Sequence, residues 1–141
     1  MDEHRLICMM GLPRSGKTTI ARALGYPIVN RDSIRLALHG KRFQKEAEPM
    51  VKAIAIVMVR ALFRAGHTTV IVDETNTTRA RRDFWCDKAW TTEFLHVPTP
   101  PEECRLRAKQ CGQEDLMPII DSMWAQQEAL QTDEERYENR S

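Results

Sequence analysis

Residues 11–18 read Gly-Leu-Pro-Arg-Ser-Gly-Lys-Thr, the spacing G-x-x-x-x-G-K-[ST], and their flanks dictate what must surround them. The apolar run Leu6–Met10 in front predicts a buried strand, and TTIARAL, from Thr18 to Leu24, predicts the first turns of a helix. A strand that turns through glycines into a helix commits the chain to an α/β layer architecture. The chemistry uses each part of the motif. Glycines let backbone N–H groups curl around a β-phosphate, and the helix N-terminus adds its partial positive charge. Lys17 reaches β- and γ-phosphate oxygens, while the Thr18 hydroxyl ligates Mg²⁺. Gly11, Pro13, Arg14, Ser15, Gly16, Lys17, Thr18 and Thr19 are therefore the candidate phosphate-binding residues. The implied ligand is ATP or another nucleoside triphosphate with Mg²⁺. A mere glycine-rich turn with an exposed lysine is the competing reading, and the strand-then-helix context argues against it.

At 141 residues the chain suits one domain with a real core. A net charge of +1 argues against a protein that coats long nucleic acid by electrostatics alone, yet leaves room for a local basic patch. No apolar run approaches the roughly 18 residues of a membrane span, and MDEHRLICMM lacks the layout of a secretion signal. Cys8, Cys86, Cys104 and Cys111 form no C-x-x-C pair, so they read as free thiols of a reducing cytoplasm rather than as zinc ligands.

Strand-like and helix-like segments alternate, the pattern of a parallel sheet with helices on its faces. The expected strands are Leu6–Met10, Pro27–Asn30, Thr69–Asp73 and Glu93–Val97, and in a P-loop kinase reading they take the spatial order second, third, first, fourth. Between the second and third strands, one helix starts near Asp32 or Ser33 as N-cap and ends by Gly40. The next runs from about Glu46 to Ala65, with Val51, Ile54, Ala55, Met58, Leu62 and Ala65 as its core stripe. Thr77 or Thr78 caps a helix to about Trp90, and Pro101 opens another that Gly112 ends. A last helix from Pro118 is expected to bury Ile119, Ile120, Met123 and Trp124, followed by a charged tail, Thr132–Ser141, that frays.

Ligands of such sheets gather at the carboxyl ends of the strands, so the polar residues there are the candidates. After the second strand come Arg31-Asp32-Ser33-Ile34-Arg35. A carboxylate beside an arginine suits phosphoryl transfer to a hydroxyl: the acid takes the proton and the arginine holds an anionic part of the acceptor. Equally, Asp32 caps a helix and Arg35 is a solvated charge. The third strand ends in Asp73-Glu74-Thr75-Asn76, and either acid suits the metal side. Asn76 either bonds an acceptor or holds a turn. Arg79, Arg81 and Arg82 then open a helix, where cations oppose the macrodipole by a few tenths of a kcal/mol unless an anion compensates. Phe84 and Trp85 read more readily as core than as base-stacking surfaces.

GLPRSGKT, then NRDSIR, then DETNTTRARR together resemble the kinase domain of phage-type 5′-hydroxyl polynucleotide kinases, in the same order and spacing from Leu6 to about Trp124. The resemblance implies an α/β P-loop kinase fold, a four-stranded parallel sheet flanked by helices with a short helical lid, over residues 1–131, with 132–141 as the tail. It implies transfer of the γ-phosphate of ATP to the 5′-OH end of DNA or RNA. Asp32 would be the general base and Arg35 the contact to the acceptor's first phosphate. The metal side falls to Glu74 by family position and to Asp73 by the general strand-end pattern. Asn76, Arg79, Arg81 and Arg82 are candidate acceptor contacts. The family carries two lid arginines four residues apart. Arg107 matches the first, and Cys111 stands at the second. Lys109 or Arg105 substitutes from the neighbouring turn, Arg14 substitutes from the phosphate loop, or activity is reduced. The rival readings are a small-molecule kinase on the same scaffold and a non-catalytic nucleotide-binding regulatory module.

Overall fold

The computed structural model describes residues 3–138. Four strands, β1 (Arg5–Met10), β2 (Ile28–Val29), β3 (Thr69–Val72) and β4 (Thr91–His96), form one parallel sheet in the order β2-β3-β1-β4. The expected sheet order is the observed one. Strand β1 is central, with Leu6 opposite Val70 and Thr92, and Ile7 opposite Ile71 and Glu93. All six of its residues are buried, as a strand covered on both faces must be.

Alternation along β1 sends side chains to two separate cores. Leu6 and Cys8 join Val51, Ala55, Val59, Phe63 and Trp85 beneath α3 (Glu48–Arg64). Ile7 and Met9 meet Ala21 of α1 (Lys17–Leu24) on the other face. The α3 stripe is rotated from the expected one: Val59 and Phe63 are buried, whereas Met58 is 38% exposed and Ala65 lies outside the helix as its C-cap. The β-branched and aromatic side chains facing the sheet outweigh the flexible methionine, which stays near the surface.

Helix α2 (Arg31–His39) is capped by Asn30, whose side chain accepts the Ser33 N–H at 3.0 Å. Asp32 is therefore not the cap and stands free for another use. Helix α4 is short (Arg79–Asp83), capped by Thr78, and does not run on to Trp90. The lid consists of α5 (Pro101–Gln110), a 3₁₀ turn (Glu114–Leu116) and α6 (Met117–Gln126). A small core of Leu12, Cys104, Ala108 and Ile120 roots it next to the phosphate loop. In α6, Ile120 is buried, but Ile119 and Trp124 are 42% and 50% exposed, contrary to the expected stripe.

The tail through residue 138 is docked rather than frayed. The backbone at 94 and 135–137 is paired: Phe94 N donates to Glu135 O, and Tyr137 N donates to Phe94 O, each at 2.9 Å. This strap pairs with the outer edge of β4 at Phe94 and blunts that edge there. Beneath it, Arg5 makes two bonds to Glu93, at 2.6 and 2.8 Å, with both side chains buried. Residues 139–141 of the expected tail lie outside the described residues.

Candidate active site

The phosphate loop leaves β1 under tight steric control. A Cβ on Gly11 would lie 2.8 Å from Ser15 Oγ and 2.9 Å from the Val97 carbonyl, so only glycine fits. Gly16 enters α1 with φ of 98°, and Arg14 holds φ of 66°, a left-handed conformation that costs a non-glycine residue on the order of 1 kcal/mol. Lys17 is 9% exposed and its Nζ donates to the Leu12 carbonyl at 3.2 Å. Burial pushes its ammonium below the ordinary 10.5, and the carboxylates of Asp73 and Asp32 partly pull it back. The buried Ser15 hydroxyl has no hydrogen-bond partner among the described residues. A buried cation and an orphaned hydroxyl at the turn from strand into helix suit a phosphate chain.

The two strand-end acids have separate surroundings. Thr18 Oγ1 donates to Asp73 Oδ2 at 2.7 Å, so these two oxygens converge at the mouth of the loop. They fit Mg²⁺, which takes one or two protein oxygens beside phosphate oxygens and water. Glu74 is turned inward instead. It accepts Arg31 Nη2 at 2.7 Å and the Trp85 indole N–H at 3.0 Å, and is 9% exposed. That clamp ties α2 to the turn after α4, while Glu74 still lines the cleft that Thr18 and Asp73 share.

Three candidate acceptor contacts are also structural in this fold. Asn76 is 1% exposed, and its Nδ2 donates to the Met9 carbonyl at 2.8 Å, tying the ends of β3 and β1. Arg82 is fully buried and gives two bonds to Glu134, at 2.6 and 3.1 Å, plus others to the carbonyls of Asn76, Glu128 and Ala129. Arg79 turns to Asp133 and Asp83, at 2.8 and 2.7 Å. The anion that compensates cations at the start of α4 is thus the chain's own docked tail. Arg81 differs: it reaches the cleft and has no ion pair among the described residues.

A cleft of about 960 Å³ opens above the loop. Lys17, Thr18, Asp32, Arg35, Asp73, Arg81 and Arg107 all line it, as do Pro13, Arg14, Gly16 and Thr19. Asp32 thus shares one cavity with the phosphate loop; its side chain is 68% exposed and accepts Arg35 Nη1 at 2.6 Å. Arg35 is held from behind by Glu48, through bonds of 2.9 and 2.5 Å. These bonds hold Glu48 below the ordinary carboxylate value. With three of its five N–H groups so engaged, Arg35 has two left for a ligand.

On the lid side, Arg107 stands over the loop. Its Nη1 donates to the Arg14 carbonyl at 3.2 Å, and Glu103 one turn back steadies its Nε at 3.1 Å. One turn further on, Cys111 Sγ sits 2.8 Å from Arg14 Nη2. The Arg14 guanidinium therefore occupies the neighbourhood of position 111. Arg105 is bound to Asp121 of α6 at 2.5 Å, bracing the lid from outside the cleft. Neither Arg105 nor Lys109 lines the cavity.

Several lining residues escaped sequence reasoning. Phe43, Lys45 and Lys52 come from the α2–α3 connection and the start of α3, and Leu116, Ile119 and Met123 from the lid. A signal existed for the last two, because α6 carries more apolar residues than its single buried position, Ile120, consumes. Phe43 and Lys45 had none: an aromatic and a lysine in a polar connection carry no period.

The sequence matches the AAA domain family over residues 6–138. The chain belongs to that family. No curated protein matches this AAA domain by sequence. Among solved structures it is similar to a chain of the Pnkp1/Rnl/Hen1 RNA repair complex, with TM-score 0.67, 22% identity and all of this chain covered. It spans about half of that chain, 53%. A further structure of that complex gives 28% identity over 74% of this AAA domain and 39% of the other chain, with TM-score 0.57. A sugar kinase from Janibacter sp. HTCC2649 gives 25% identity and TM-score 0.64, over 96% of this chain and 83% of that one. The fold is that of the P-loop kinases. No helix among the described residues is long and apolar enough to cross a membrane.

Proposed function

We propose that this AAA domain moves the γ-phosphate of ATP to the 5′-OH end of a DNA or RNA strand. One observation carries the reading: Asp32, paired with Arg35, opens into the same cavity as Lys17 and Thr18. The 5′ oxygen attacks the γ-phosphorus as the bond from that phosphorus to the β,γ-bridging oxygen breaks. The hydroxyl proton passes to the Asp32 carboxylate. Arg35 fixes that carboxylate and offers its two remaining N–H groups to the acceptor phosphate. Lys17 holds β- and γ-oxygens, and Arg107 with Arg14 meets the charge on the transferred group. Mg²⁺, held by Thr18 and Asp73, would neutralise phosphate charge when bound.

An anionic acceptor is favoured because Lys45, Lys52 and Arg81 line the cleft without ion pairs among the described residues. The likeness to a sugar kinase supports a second reading, phosphorylation of a small hydroxyl compound. Label transfer from γ-labelled ATP to a 5′-OH oligonucleotide, run beside a panel of small alcohols and phosphorylated metabolites, separates the two. Labelled 5′ ends are expected. Label on a small alcohol alone would replace the first reading with the second.

A further inference from the structure

The cleft wall beyond Arg35 holds an aromatic ring that no step of the proposed transfer uses. Phe43 is 63% exposed, lines the cleft, and follows the end of α2 within a few residues. A single exposed phenylalanine needs no explanation of its own. This one is set apart by its neighbours. The Arg35 guanidinium lies over the ring, 5.9 Å from its centroid, and the same guanidinium holds Asp32 at 2.6 Å. Carboxylate, guanidinium and ring are thus consecutive along the wall, and Lys45 stands two residues past the ring with no ion pair among the described residues. Alternating cations and an exposed aromatic face are what holds single-stranded nucleic acid without reading its sequence: cations take phosphates and the ring takes a base.

We infer that Phe43 is a stacking platform for the nucleobase of the acceptor's terminal nucleoside, so the acceptor subsite is sequence-tolerant but requires a base. This rests on the proposed nucleic-acid acceptor. Arg35 braces the far face of the ring, and Lys45 receives the next phosphate. Because stacking is made before and during transfer alike, it lowers KM for the acceptor and leaves kcat nearly unchanged.

The test compares wild type, Phe43→Ala and Phe43→Trp on two acceptors: a 5′-OH oligonucleotide and the same strand with an abasic 5′-terminal residue. Phe43→Ala is expected to raise KM for the base-bearing strand roughly five- to a hundred-fold, and Phe43→Trp to restore it. On the abasic strand, wild type and Phe43→Ala should coincide at the higher KM. KM for ATP should stay within about two-fold, which separates this subsite from the adenine site. An equal rise on both acceptors, no rise on either, or a shift confined to ATP would overturn the platform while leaving end phosphorylation intact. Failure of wild type to label any oligonucleotide would overturn the proposed function as well, and is seen before any variant is made.

Discussion

Removing the charge at Glu134 leaves the Arg82 guanidinium buried without its counter-ion. Arg82 has no exposed surface and the Glu134 side chain only 3%, so water cannot replace the lost carboxylate. Breaking a buried pair from one side costs about 3–5 kcal/mol. Glu134→Gln keeps the shape and one acceptor oxygen, and the carbonyls of Asn76, Glu128 and Ala129 still hold the guanidinium. The expected loss therefore sits at the low end, about 3 kcal/mol. For a chain of this length that lowers Tm by about 10 °C. Urea and thermal melts of Glu134→Gln should be set beside Asp115→Asn, which breaks the exposed pair to Arg42 and should cost at most about 1 kcal/mol. Below its melting range, Glu134→Gln should retain the wild-type KM for oligonucleotide. A variant as stable as wild type but weaker for the acceptor would refute the reasoning. It would mean that Arg82 faces a ligand and not the tail.

Asp32→Asn should lower kcat about 10²–10⁴-fold while ATP affinity, by isothermal titration, stays near wild type; unchanged turnover would remove the base assignment. Arg14→Ala should cost about 10²-fold in kcat, and adding Cys111→Arg should recover much of it, since the two side chains meet at 2.8 Å. No recovery would mean that Arg14 acts through loop geometry instead. With Lys45, Lys52 and Arg81 in the cleft and without ion pairs among the described residues, log affinity for single strands should fall with log salt at a slope of about −2, whereas about −6 would reveal a far longer footprint. Because Glu48 titrates below its ordinary 4.5 when bonded to Arg35, its contribution is complete above that value and lost as pH falls through the depressed one. Glu48→Gln should flatten that acid limb of the stability curve, and an unchanged limb would assign it to other carboxylates.

What was legible in the sequence is local chemistry repeated within a few residues. The loop Gly11–Thr18 needs Gly11 where a Cβ would strike Ser15 and Val97 and Gly16 where φ is positive, and the runs at Leu6–Met10 and Thr69–Val72 are buried strands. That the strands run parallel followed from their alternation with helices, whereas their order did not. Asp32 as a cleft acid was also readable, though its freedom from capping depended on Asn30 taking that task. The arginines were legible only as charges. Whether each faces a ligand or a carboxylate depends on partners far along the chain: Arg82 meets Glu134 and Arg79 meets Asp133, in a tail expected to be loose.

Spacing and pattern alone determined the phosphate loop, the sheet and the acid beside it, since those follow from backbone sterics and the burial of short apolar runs. Only the tertiary structure decided which strand-end acid meets Thr18, which arginines stay free, and that Arg14 comes to lie against Cys111. Those outcomes turn on charges desolvated together by chain packing, and a desolvated charge takes whichever counter-ion the fold delivers, however distant in sequence.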